Sequence, residues 1–276
     1  MDKKIYFVSG LPRSGSTLFV NILNQNPDFH ATGSSGLIDV VKNIRDTFEV
    51  NPFFRAMSEE ENMERRKGAL LGAIEGYFTG TEATVCFDKN RLWPGMLEML
   101  SFLYGKENIK VICCVRDIRD ILASFEILHR KTAHGGSTSQ ERANPSLNST
   151  SLGRAASLME NTEVVGFAKN TVLDALQRGF NDQMYCLDYD YLTNEPKACM
   201  NKIYDYIGED YYDHNFDNVE AVTVEDDRVH GFKDLHKIRP NVEPQEPKWP
   251  IVYDGMTLNA PFWKNLETYC TFWRGE

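Results

Sequence analysis

The sequence predicts an α/β protein of three layers, α/β/α, built on a central parallel sheet. Short apolar segments of strand length, at residues 5–10, 84–87, 109–115 and 184–187, alternate with longer segments whose apolar residues recur at helical spacing. The segment 109–115 is apolar at every position but Lys110, as expected of a strand covered on both faces. Polar residues follow the strands directly, at Arg13 to Thr17, Asp88 to Arg91 and Arg116 to Asp120, and open parallel sheets place their ligands at those strand ends.

Taken in order, residues 5–10 form the first strand, and a helix with Leu18, Phe19, Ile22 and Leu23 on one face runs to about 24–27. A Gly/Ser turn at 32–36 precedes a second helix marked by Leu37, Val40, Val41 and Ile44. Ser58 and Glu61 make a capping box for a helix reaching Tyr77. The second strand, 84–87, leads to a helix over 92–104 with Pro94 in its first turn. The third strand, 109–115, leads to a helix carrying Ile121, Leu122, Phe125 and Leu128. Residues 131–154 are Gly, Ser, Thr, Asn and Gln with almost nothing apolar, and they read as a mobile loop. A long helix over 155–179, the fourth strand at 184–187 and a helix from Pro196 to Gly208 follow. The remainder, 209–276, is irregular, aromatic and proline-rich, closing on a short helix at 262–272 and packing on the core, so that residues 1–276 read as one domain.

Composition narrows the function. A net charge of −10 and a pI near 5.2 argue against a nucleic-acid or anionic-membrane surface, so any anion site must be a local concentration of cations such as Arg13, Arg116 and Arg119. The six cysteines lack framework spacing and any Cys-x-x-Cys pair, and the histidines are scattered, so reduced core thiols and no metal are expected. No leading segment has the form of a signal peptide or a membrane span, which leads to the expectation of a cytoplasmic protein.

The run Gly10-Leu11-Pro12-Arg13-Ser14-Gly15-Ser16-Thr17-Leu18 joins a strand to a helix. Unpaired N–H groups and a partial positive charge at the helix start suit it to a phosphate. It matches the nucleotide-binding P-loop at every position except one: Ser16 stands where kinases and ATPases place Lys, and the cation is Arg13. Arg116 and Ser124 lie eight residues apart, across the end of the third strand and two turns of the next helix, a spacing that lets both reach one anion. Alternatives remain open on these residues: a P-loop kinase, for which Ser16 is unfavourable, and a nucleotide-binding module without catalysis.

The loop LPRSGSTL resembles the 5′-phosphosulfate loop of sulfotransferases that use 3′-phosphoadenosine-5′-phosphosulfate (PAPS), in the bacterial-type branch with Arg in that loop. Arg116 and Ser124 match the family's 3′-phosphate pair, Tyr189 its nucleotide-side tyrosine, and Lys237 and Arg239 a basic segment that closes over the 3′-phosphate. The resemblance implies a P-loop-type fold and sulfuryl transfer from PAPS, leaving 3′-phosphoadenosine-5′-phosphate (PAP), to a hydroxyl or amine of a small-molecule, glycan, lipid or peptide acceptor. It implies donor binding by Arg13, Ser14, Gly15, Ser16, Thr17 and Leu18, and places Lys89 beside the transferred group. The sequence departs from the family at the general base: residues 31–36 hold neither His nor Glu, which leaves Asp39, with Asp88 second, as the candidate.

Overall fold

The computed structural model describes residues 3–132, 149–230 and 234–274. Five parallel strands, β1 (Lys4–Gly10), β2 (Phe29–Ser34), β3 (Val85–Lys89), β4 (Val111–Val115) and β5 (Met184–Asp188), form one sheet in the order β2-β3-β1-β4-β5. β1 is central, pairing Val8 with Lys89 on one side and Gly10 with Cys114 on the other. Alternate residues of each strand enter opposite cores: Phe7, Val111, Cys113 and Val115 face one helical layer, and Val8, Ile112 and Cys114 the other.

The helices are α1 (Ser16–Leu23), α2 (Leu37–Val50), α3 (Pro52–Arg55), α4 (Glu59–Tyr77), α5 (Leu97–Tyr104), α6 (Ile118–Thr132), α7 (Ser151–Leu158), α8 (Val164–Gln177), α9 (Tyr189–Asn194) and α10 (Pro196–Ile207). Ser58 caps α4 by accepting from Glu61 N, as the capping box implied. The layer of α1 and α10 is small, and the larger layer, which includes α2, α5, α6 and α8, also takes in Trp263 from the C-terminal segment. Among the described residues no helix is long and apolar enough to cross a membrane.

The fold differs from expectation in five places. β2, within a region expected to be helix end and turn, is an edge strand that buries only Phe29 and Ala31 and slips register before Ser34, so its apolar signal is weak. The helix expected over 155–179 is two helices. Thr150 caps α7 by accepting from Gly153 N, and α8 starts anew at Val164 because the chain folds back: a Cβ on Gly166 would lie 2.3 Å from the carbonyls of Met159 and Glu160. The expected loop 131–154 is therefore helical through Thr132 and again from Ser151, and 133–148 lie outside the described residues. The helix expected at 92–104 opens as a 3-10 turn, Trp93–Met96, and the terminal helix stops at Leu266.

The C-terminal segment is nonetheless tied to the sheet. Ile118 N donates to Cys270 O at 3.1 Å, Lys248 N to the buried Asp120 carboxylate at 2.7 Å, and Arg274 Nη2 to Asp188 at 2.7 Å. Across α6 and α7 the buried Glu126 accepts from Arg130 and Arg154, each at 2.8 Å, which fixes the register of the two helices.

One buried carboxylate sits in the core beneath the strand ends. Asp88 is fully buried at the end of β3 and accepts from Trp93 Nε1 at 2.8 Å. Burial pushes its pKa up to about 6, against the opposing pull of Ser35 and Trp93. Between the ordinary carboxylate value and about 6 the folded chain holds the proton more tightly, so Asp88 contributes stability at low pH that is lost as pH rises through that window. Asp88→Asn keeps an acceptor for Trp93 and removes the titration. In urea unfolding, its stability relative to wild type is expected to rise by about 2 kcal/mol between pH 4.5 and 7.5; a flat difference would show that Asp88 is not a buried anion at neutral pH.

Candidate functional site

β1 delivers its loop over β4. Gly10, at φ 125°, passes so close that a Cβ there would lie 2.0 Å from Cys114 O, and Leu11 N then donates to that same carbonyl at 2.9 Å. Left-handed backbone at Arg13 (φ 58°) and Gly15 (φ 85°) curls the loop, an arrangement that turns successive N–H groups inward. The buried Ser14 hydroxyl holds the curve by donating to Leu11 O at 2.6 Å. α1 begins at Ser16, and its first N–H groups have no carbonyl one turn back within the helix.

Two guanidinium groups converge on this loop. Arg13 Nε donates to Ser124 Oγ at 3.1 Å and its Nη1 to Leu235 O, and Arg116 Nη1 reaches Arg13 O at 3.4 Å. Burial and the neighbouring Arg116 hold Arg13 below the usual arginine range. Arg116 lies over the Tyr189 ring at 4.4 Å, and that ring packs on Gly15, where a Cβ would come within 2.5 Å of it. Asp120 stands 3.7 Å from Arg116 Nη2, but the buried Arg116 Nε has no hydrogen-bond partner among the described residues. A buried donor without an acceptor, on one of two neighbouring arginines, suits an anion bridging them.

On the other side of the loop the buried Lys89 ammonium lies 3.5 Å from Thr17 Oγ1 and 3.3 Å from Glu225 Oε1. Burial lowers the Lys89 pKa, and Glu225 works against that shift. Glu225 belongs to a strap of C-terminal chain: its Oε1 also accepts from Ser34 N at 2.8 Å, and Asn21 Oδ1 accepts from Val222 N and Thr223 N at 2.7 and 3.0 Å. Farther along, His236 is set by Asp227, which accepts from His236 N at 3.1 Å and pairs with its Nδ1 at 2.6 Å; Glu225 Oε2 stands 3.4 Å from the same Nδ1.

These parts enclose a cavity of about 570 Å³. Arg13, Gly15, Ser16, Thr17 and Leu18 line it, as do Lys89, Arg116, Tyr189, Lys237 and Arg239. Ser14 and Ser124 stand behind that surface: Ser14 braces the loop, and Ser124 holds Arg13 where the spacing had paired it with Arg116 at an anion. Asp39 is not brought to the cavity. It is exposed on α2, because Leu37, Ile38 and Val41 turn inward and leave it on the solvent side. Asp88 does not line the cavity either, being committed to Trp93 in the core. Sequence reasoning missed Glu225, Asp227 and His236. His236 lies in the run Leu235-His236-Lys237-Ile238-Arg239, beside the basic residues the resemblance points to, but a carboxylate nine residues away gives no spacing signal that the two form a pair.

The chain resembles known proteins both in sequence and in fold. The sequence model of the sulfotransferase family matches residues 6–213. The structure is similar to a sulfotransferase domain from the olefin synthase of Synechococcus PCC 7002, at 15% identity and a TM-score of 0.58, over 99% of this chain and 95% of that one. It is also similar to a sulfotransferase domain from the curacin biosynthetic pathway, at 14% identity and a TM-score of 0.57, over 99% and 98% of the two chains. Among curated proteins no sequence match is found. At such identities the structures speak for the fold, while the family match spans well over half of the sequence and runs through the loop, Lys89, Arg116 and Tyr189. The chain belongs to the sulfotransferase family.

Proposed function

We propose that the protein transfers a sulfuryl group from PAPS to a hydroxyl or amine of an acceptor, releasing PAP. The observation that carries this reading is the pairing of Arg13 and Arg116 about one loop, with the buried Arg116 Nε still lacking an acceptor. The donor supplies the activated sulfuryl group. Arg13 and the loop N–H groups from Ser14 to Thr17 hold its 5′ end, while Arg116, with Lys237 and Arg239 from the strap, takes the 3′-phosphate. Tyr189 packs beside that end of the site.

Transfer is mainly a matter of positioning and of meeting charge that grows on the leaving phosphate. Lys89, desolvated and beside Thr17, is placed to meet that charge. The acceptor must also lose a proton. His236 is the only imidazole lining the cavity among the described residues, and Asp227 fixes its ring; it replaces Asp39 as the residue assigned to take the proton.

Two measurements test the assignment. PAP is expected to raise the melting temperature well above the shift given by AMP, with Arg116→Ala abolishing the difference; equal shifts in the wild-type protein would sink the donor assignment. His236→Gln is expected to lower kcat by about 10²- to 10⁴-fold while leaving the PAP-induced shift intact. Asp227→Asn should show a smaller loss of the same kind, and a loss under about tenfold in His236→Gln would remove His236 from the proton transfer.

A further inference from the structure

The order of the strands divides the cavity into two halves. The loop after β1 lies at its middle; Arg116 and Tyr189 follow β4 and β5 on one side, and Lys89, which ends β3, lies with Asn90 and Arg91 on the other, beside Ser34 and Ser35 at the end of β2. With the nucleotide assigned to the β4 and β5 side, the β2 and β3 side remains for the acceptor. Two cations line that half. Lys89 faces the loop and is balanced by Glu225. Arg91 makes no hydrogen bond or ion pair among the described residues, and it stays a cation.

Although exposed to solvent, Arg91 belongs to the lining of the cavity. Its charge acts on Lys89 through the shared space, lowering the lysine pKa further. The 3-10 turn immediately after it, Trp93–Met96, packs against α8, with Thr171 Cγ2 3.3 Å from the Cβ position of Gly95. Leu158 and Val164, from the ends of α7 and α8, line the same cavity. Glu243 is the only acidic residue in the lining among the described residues, so Arg91 faces the cavity without a neutralising carboxylate of its own. A guanidinium held in such a place presents a planar fork of donors matched to a carboxylate or phosphate.

We propose that Arg91 determines acceptor specificity by binding a compact anionic group, carboxylate or phosphate, on an acceptor whose apolar body lies along Leu158 and Val164. This rests on the donor assignment above, because that assignment reserves the β2 and β3 half for the acceptor. The anionic group and the sulfated hydroxyl or amine are then two points of attachment: Arg91 holds the first, and the second is presented to the loop beside Lys89.

Binding to the PAP-saturated protein by calorimetry separates the possibilities with matched probes: 4-hydroxybenzoate against 4-hydroxybenzamide for a carboxylate, and 4-hydroxyphenyl phosphate against hydroquinone for a phosphate. The charged member of at least one pair is expected to bind about tenfold tighter or more, as a charge-assisted bidentate contact provides. Which pair discriminates identifies the anion. Arg91→Gln should erase the preference without altering PAP affinity, and Arg91→Lys, which keeps the charge and loses the fork, should restore part of it. No preference in either pair, whether both members bind equally or neither binds, overturns the proposal, as does a preference that survives in Arg91→Gln. Loss of PAP affinity in Arg91→Gln would place Arg91 in the donor site and overturn it too. Failure of wild-type protein to distinguish PAP from AMP is a separate result and counts against the donor assignment.

Discussion

Gly10 is the constraint on which the site depends. β1 must hand its loop across β4 at a separation that admits no side chain, since a Cβ would lie 2.0 Å from Cys114 O. That crossing, secured by Leu11 N on the same carbonyl, sets the loop above β4 and so brings Arg13 against Arg116. Gly15 repeats the device one turn later, clearing room for the Tyr189 ring from the end of β5. Three strand ends are thereby joined by contacts that only glycine permits.

The electrostatics follow from that geometry. An acidic chain of net charge −10 gathers arginines and lysines where the strands end, and burial makes Arg13 and Lys89 more costly to keep charged. The cost is met unevenly. Glu225 balances Lys89, Asp120 stands near Arg116 at 3.7 Å, and Ser124 and Leu235 O accept from Arg13. What remains uncompensated, the buried Arg116 Nε, marks a place where the protein leaves room for an anion from outside, and the exposed Arg91 lines the same cavity without a partner among the described residues.

The C-terminal segment does more than cover a core. Its strap supplies Glu225, Asp227 and His236, and Asn21, Ser34 and Lys89 hold it from the sheet side. In the contacts of Asn21 and Ser34, residues more than 190 positions apart in sequence meet. Irregular chain can hold such a position because its backbone and carboxylates are bonded at intervals into the sheet, as at Asp120 and Asp188.

By itself the sequence determined the α/β class, the parallel sheet, the strand-to-helix loop that carries Arg13, the cation at Arg116 and the polar strand end at Lys89. Each of these is local: an apolar strand followed within a few residues by glycine or a charged group, where periodicity and motif spacing act directly. Edge strand β2 escaped because an edge strand with a register slip buries too few residues to show a pattern, and the break between α7 and α8 because no proline marks it. The tertiary structure alone decided that Asp39 faces solvent, that Asp88 belongs to Trp93, that Ser124 holds Arg13, and that Asp227, Glu225 and His236 meet at the cavity. Those outcomes depend on the strand order and on the path of an irregular strap, which bring together residues whose separation along the chain carries no periodic signal.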